Sequence, residues 1–379
     1  MASTTRNHGH VQRGLRHKEA GAARAGHDGV RSAELRRRFR RLENLFNRTE
    51  PRDQAFRYVC DLLALPAQKC TEDGRNRLLT TARWDEDLVR DRIRDMVVEN
   101  LSSPDAALVI TEEGFVKNGH KSAGVERQYC ASAERVDNYQ IGLFLLYAGK
   151  SGSVTAIDRE LLLPPSWAGD ALRRAASKIP ADIRARDRED LVLAMIDRAL
   201  AAHVPAGWVV ADTPWYGDSA RLRTALEARR IPYVLACSAA AGSLTAVRGE
   251  EVEGFVRWRR PRPGGGCHLA FARGGTRQEE LMEAARKGAT RRHYIDSARR
   301  EAGKDRYAAR HWRAWYRHMS LVMFAHAHLT LSRARPDLAG TGRQGLAGPG
   351  PCGAGRVARG GDHWLSPAVA QIHPARDAA

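Results

Sequence analysis

The sequence has no closely spaced cysteine pair, no long apolar run and no apolar signal core, and each absence removes a class of protein. Cys60, Cys70, Cys130, Cys237, Cys267 and Cys352 lie far apart, so neither a zinc site nor a dense disulfide framework is indicated, and reduced, structural thiols are expected. No stretch approaches the roughly 18 apolar residues of a membrane span, and the N-terminus is basic. A cytoplasmic protein with no membrane partner is expected. A Ser, His and Asp set with nucleophile-elbow spacing is missing too. Gly149-Lys150-Ser151 is read as a turn rather than a phosphate-binding loop, because Phe144 stands where that loop needs glycine.

Negative charge is also short. The 62 Lys and Arg exceed the 44 Asp and Glu, leaving a formal charge of +18 that favours a polyanionic partner, nucleic acid first. Arg, Ala and Gly share GC-rich codons, so distribution is a better guide than total. Residues 1–41 and residues 286–317 each hold eleven basic and three acidic residues. The second stretch interleaves Tyr294, Tyr307, Trp312, Trp315 and Tyr316 with its arginines. Such a pattern suits either a groove that tracks phosphates and stacks bases or a helix whose aromatics face the core.

Along the chain, residues 1–31 read as a disordered basic arm and residues 32–103 as a helical N-terminal region, with segments around Leu35–Phe46, Ala55–Leu65 and Asp85–Leu101. Beyond Pro104, strands are expected over Ala107–Thr111, Ala123–Cys130 and the apolar Tyr139–Ala148. A helix (Asp190–His203), a strand ending at Asp212, a helix (Ser219–Arg230) and a strand (Pro232–Cys237) follow. A three-strand meander followed by helix, strand, helix, strand is the order of an RNase H-like α/β fold, a mixed sheet flanked by helices. That core is assigned to residues 104–332, with a degenerate insertion at 238–288 and late helices over Thr290–Gly303 and His311–Leu331. Residues 333–379, rich in Gly, Pro and Arg, read as a disordered tail.

Two acids end short apolar runs: Glu112 follows Leu108-Val109-Ile110-Thr111, and Asp212 follows Trp208-Val209-Val210-Ala211. Strand ends hold carboxylates rigidly, and two such ends can clamp divalent metal. Several passages occur in a telling order: Leu78-Leu79-Thr80-Thr81-Ala82-Arg83-Trp84-Asp85, Gly114-Phe115-Val116-Lys117-Asn118-Gly119, Val125-Glu126-Arg127-Gln128-Tyr129, Ile157-Asp158-Arg159-Glu160-Leu161 with Leu163-Pro164 and Trp167, and Trp315-Tyr316-Arg317-His318. Over residues 78–238 and 298–330 the chain resembles a bacterial insertion-sequence transposase of the DDE class. The resemblance implies cut-and-paste transposition by three carboxylates binding two Mg2+ (or Mn2+) ions. It also implies double-stranded DNA as partner, at terminal inverted repeats, and allows a homo-oligomer.

Carried over position by position, the triad is damaged. The first Asp position is Thr111, and neighbouring Glu112 serves only if the strand slips by one, which turns every side chain to the other face. Asp212 keeps the second position. An ungapped count puts Arg292 at the third and Arg299 at the DNA-contacting basic position, whereas a gapped match makes Asp296 the third acid. The candidate metal and catalytic set is therefore Asp212, Glu112 and Asp296, with Arg299, Arg300 and Arg317 as candidate DNA contacts. Two readings stay open: a catalytically impaired transposase and a non-catalytic DNA-binding remnant.

Overall fold

The computed structural model describes residues 32–65, 69–238, 247–262, 265–307 and 309–334, so the expected basic arm and nearly all of the expected tail lie outside the described residues. A helix α1 (residues 32–39) runs into a 3-10 turn, Arg40–Leu45, and is followed by α2 (Thr49–Leu62), α3 (Glu72–Thr80) and α4 (Glu86–Leu101). Side-chain oxygens start the last two: Thr71 accepts from the Gly74 amide, and Asp85 accepts from the amides of Asp87 and Leu88. The strands β1 (Ala107–Val116), β2 (Glu126–Cys130), β3 (Arg135–Ala148) and β4 (Val154–Leu161) come next. Then follow α5 (Ala171–Ala176), α6 (Arg188–Ala201), β5 (Trp208–Ala211), α7 (Pro214–Asp218), α8 (Ala220–Ala228) and β6 (Tyr233–Cys237). Strands β7 (Val247–Val252), β8 (Phe255–Pro261) and β9 (Cys267–Arg273) precede two long helices, α9 (Gln278–Glu301) and α10 (Trp312–Arg333).

Strand β1 is central. It pairs antiparallel with β3 along its whole length and parallel with β5, and β5 pairs parallel with β6. Strand β3 meets β4 along its second half, giving the order β4-β3-β1-β5-β6 of an RNase H-like sheet. The meander differs from expectation in one strand. The segment predicted as its second member, β2, pairs only with the outer end of β3, and the core place belongs to β4. Sequence pattern misses β4 because Asp158 and Arg159 are buried within it, each held by ion pairs: Arg159 to Asp87 at 2.8 Å and Asp158 to Arg198 at 2.8 Å.

The stretch read as a degenerate insertion carries structure of its own. Strands β9, β8 and β7 add to β6 as an antiparallel extension, and α9 begins at Gln278, well before the expected Thr290. Arginines at 257, 259 and 260 interrupt the apolar alternation of β8, so the two-residue period is weak there. Cys237 and Cys267 face one another across β6 and β9 and are disulfide-bonded, with Cα atoms 5.2 Å apart. This corrects the expectation that all the cysteines are reduced: the partners are distant in sequence, and only strand pairing brings them together.

Helix α10 is buried on every side, from Ala314 to Leu331 apart from the partly exposed Tyr316, rather than on the single face expected. It is wedged between β4 and the N-terminal helices, with Phe39 edge-on to Phe324 at 5.7 Å. The aromatics of residues 286–317 follow the core-facing reading: Tyr294, Trp312 and Trp315 are buried. Gly149-Lys150-Ser151 is a turn, as expected. Among the described residues no helix is long and apolar enough to cross a membrane.

Three histidines of α10 are buried and bonded inside. His318 meets the Tyr58 hydroxyl and the Lys304 carbonyl, His326 sits between Thr155 and Ser297, and His328 meets Arg38. Burial, the largest cause, pushes His318 down to about 4 and His326 down to about 3. Between the ordinary value of 6.5 and these folded values, the unfolded chain binds protons that the native chain refuses. Their contribution is therefore intact above pH ~6.5 and is lost as pH falls, by about 1.4 kcal/mol per pH unit for each histidine. Urea unfolding between pH 7 and pH 5 should show falling stability with a shallower slope for His326→Gln. A flat wild-type profile would contradict these burials.

Candidate functional site

The pairing of β1 with β5 sets the geometry of the candidate site. Val109 lies opposite Val210, so two residues further on Thr111 is level with Asp212. Side chains alternate along β1, which puts Thr111 and Glu113 on one face and Glu112 on the other. Helix α9 crosses the Thr111 face. Gly288 lets it approach: a Cβ there would lie 3.0 Å from Val210 Cγ1 and 3.3 Å from Asp212 Cβ. One helical turn on, Arg291 points back at the strand end, its Nε 3.6 Å from Asp212 Oδ2, and Arg262, just past β8, places a guanidinium nitrogen 2.9 Å from Oδ1. Asp212 is thus held between two arginines from two elements.

Glu113 is neutralised separately. Its carboxylate accepts from Lys304 Nζ and is ion-paired with Arg299 Nε at 2.5 Å. Lys304 is fully buried, with Nζ 4.0 Å from the Phe144 ring centre and 4.9 Å from that of Tyr294. Burial holds its ammonium below the ordinary lysine value, with Glu113 opposing. Glu112, on the far face, is fully buried, takes a 2.9 Å contact from Arg188 Nε and accepts from the Ala131 amide at 2.5 Å. Short helix α7 continues this rim beyond Asp212. A Cβ on Gly217 would collide with the Ala236 carbonyl, so only glycine lets α7 lie against β6.

The structure does not bring the predicted acids together. Asp212 is on the α9 face, Glu112 is turned to the opposite face as the unslipped register requires, and Asp296 is exposed on α9. From Arg291, which reaches Asp212, Asp296 is five residues along the helix and about 140° around it. The residue of α9 that does reach Asp212, Arg291, has no sequence signal except the small Gly288 one turn earlier. Neither alignment considered for the third position selects it.

The predicted DNA contacts also separate. Arg299 is half-exposed and occupied by Glu113 and Asp305, and Arg300 is exposed on α9. Arg317 is buried and corrects the sequence reading. Its guanidinium donates to Glu86 and to the carbonyls of Leu78, Leu79, Ala82 and Trp84, so it cannot reach a phosphate. The Leu78–Asp85 passage and the Trp315–His318 passage are therefore two halves of one internal contact. Within it the Trp84 indole also donates to the Leu78 carbonyl.

Comparison with known proteins gives a family match and structural neighbours. The sequence profile of the family described as DDE superfamily endonuclease matches residues 41–242, just over half of the chain. Among solved structures, the piggyBac transposase synaptic complex with hairpin DNA is similar at TM-score 0.41 and 9% identity, over 81% of this chain and 66% of that one. The chain thus spans slightly less than two thirds of that transposase's length. No curated protein matches.

Removing Arg317 leaves Glu86 and four carbonyls short of a buried donor, and breaking such a buried set costs about 3–5 kcal/mol. Arg317→Ala should lower the urea midpoint accordingly, and Arg317→Lys should recover only part of the loss, because an ammonium cannot span the same acceptors. Unchanged stability with weakened DNA binding would restore the phosphate role.

Proposed function

The chain belongs to the DDE superfamily of endonucleases, and from that premise we propose that it is an insertion-sequence-type transposase that has lost strand cleavage and acts by binding double-stranded DNA at element ends. One observation carries the reading: the rim formed by β1, β5 and α9 offers Thr111, Asp212 and Arg291 where the family's chemistry calls for three acids. Hard divalent cations need several charged oxygen ligands. Here Asp212, the one carboxylate among those three residues, is already engaged by two guanidinium groups, neighbouring Glu113 is paired with Lys304 and Arg299, and among the described residues no cluster of three His, Cys, Asp or Glu could hold a metal ion. Magnesium or manganese does not fit these residues, so no hydrolytic step is derived through either.

Retention of DNA binding is supported by the exposed ridge of α9. Arg286, His293 and Arg300 recur every seven residues along it, and the exposed Arg292 stands beside them. A basic line of this kind tracks phosphates without reading sequence. Surface carboxylates such as Glu283 and Asp296 moderate it without changing its sign.

Strand nicking tests the loss of cleavage. DNA carrying the ends that flank the gene is incubated with magnesium and then manganese, using the wild-type chain and Asp212→Ala. Retarded but intact DNA is expected for both, and nicking that needs both metal and Asp212 would overturn the reading. In the same binding assay, Arg292→Ala and Arg300→Ala should each weaken affinity for all sequences alike. Each should also reduce the salt-dependence slope by about 1.

A further inference from the structure

We propose that Arg291 and Arg262 take the place of the divalent cation beside Asp212, giving the rim a fixed positive charge that holds one phosphate of the DNA backbone without metal. This rests on the DNA-binding reading above and adds the site and the charge that does the holding. Three separate elements deliver the groups: Asp212 follows β5, Arg291 is on α9, and Arg262 follows the last residue of β8. One carboxylate against two guanidinium groups leaves a net charge of +1, matching a single phosphodiester.

The arginines are not equivalent. Arg262 hydrogen-bonds Asp212 Oδ1 at 2.9 Å, which fixes the carboxylate. Arg291 has a side chain only 7% exposed, and its buried Nε has no hydrogen-bond partner, standing 3.6 Å from Oδ2. A buried guanidinium with an unused donor beside a strand-end carboxylate is short of one anionic acceptor. Burial lowers the Arg291 guanidinium below its ordinary value, with Asp212 opposing, in keeping with a charge that has too few partners. His268 lies in the field of both Arg262 and Asp212 and is pushed down to about 4, chiefly by burial, so near pH 7 it is neutral and leaves the charge of the rim unchanged. A divalent cation entering here would meet two positive groups and one carboxylate already engaged, whereas a phosphate would meet the excess positive charge of the two guanidinium groups.

The test has a metal arm and a DNA arm. Manganese is titrated calorimetrically into the wild-type chain, Asp212→Asn and the double variant Thr111→Asp/Arg291→Glu. The wild type should show no binding that Asp212→Asn removes, and the double variant should gain stoichiometric binding. A manganese site in the wild type that Asp212→Asn abolishes would overturn the proposal. If the double variant lacks a cooperative thermal transition, the first two proteins decide by themselves. Affinity for duplex DNA is then measured at matched ionic strength with EDTA or magnesium. It should agree within about twofold, tighten in Asp212→Asn and weaken about tenfold in Arg291→Gln, the loss of one charge-assisted contact. Metal-dependent affinity, or an unchanged Arg291→Gln, would overturn the phosphate role. A wild type that binds no duplex at all would instead fail the functional reading, while the manganese result would still report on the charge substitution.

Discussion

A carboxylate taken out of water must be neutralised, and in this protein the chain itself supplies the opposite charge at each acid of the central rim. Glu112 has Arg188, Glu113 has Lys304 and Arg299, and Asp212 has Arg262 and Arg291. Each pair joins separate elements, so neutralisation and assembly are the same event. The β8–β9 extension is tied to the core through Arg262, the C-terminal half of α9 through Arg299, and the start of α6 through Arg188. Removing one partner of such a pair leaves an uncompensated buried charge, which is why these contacts constrain the arrangement more than their number suggests.

The same economy of charge organises the other end of the molecule. Helix α10 enters a space bounded by β4, α2, α3 and α4, and its buried Arg317, His318 and His326 are hydrogen-bonded inside that space. Arg317 gathers the backbone carbonyls of the α3–α4 junction, and Arg159 and Arg198 secure the acids of β4 and α4. The N-terminal helices and the sheet share one continuous core that runs from Leu35 to Leu331. The passages that carry the family resemblance are thus largely packing instructions, and neither Thr111 nor Asp212 lies within them.

Element type was legible wherever local pattern and burial agreed. The apolar runs of β1, β3, β5 and β6 and the amphipathic α6 and α8 stand out because their surroundings are apolar on the buried side, as their own residues are. Strand β4 escaped because Asp158 and Arg159 are buried in it, and helix α10 was underestimated because a second layer covers the face that pattern assigns to solvent. The Cys237–Cys267 bond and the reach of Arg291 to Asp212 depend on contacts between segments far apart in sequence, and no local period encodes them.

The amino-acid sequence by itself determined the α/β class, the strands β1, β3, β5 and β6 and the basic character, since these follow from hydrophobic period and net charge. Only the tertiary structure decided which acids share a face. The two-residue period of a strand separates Glu112 from Glu113, the parallel register aligns Thr111 with Asp212, and the close crossing of α9 at Gly288 brings an arginine, rather than an acid, to that carboxylate.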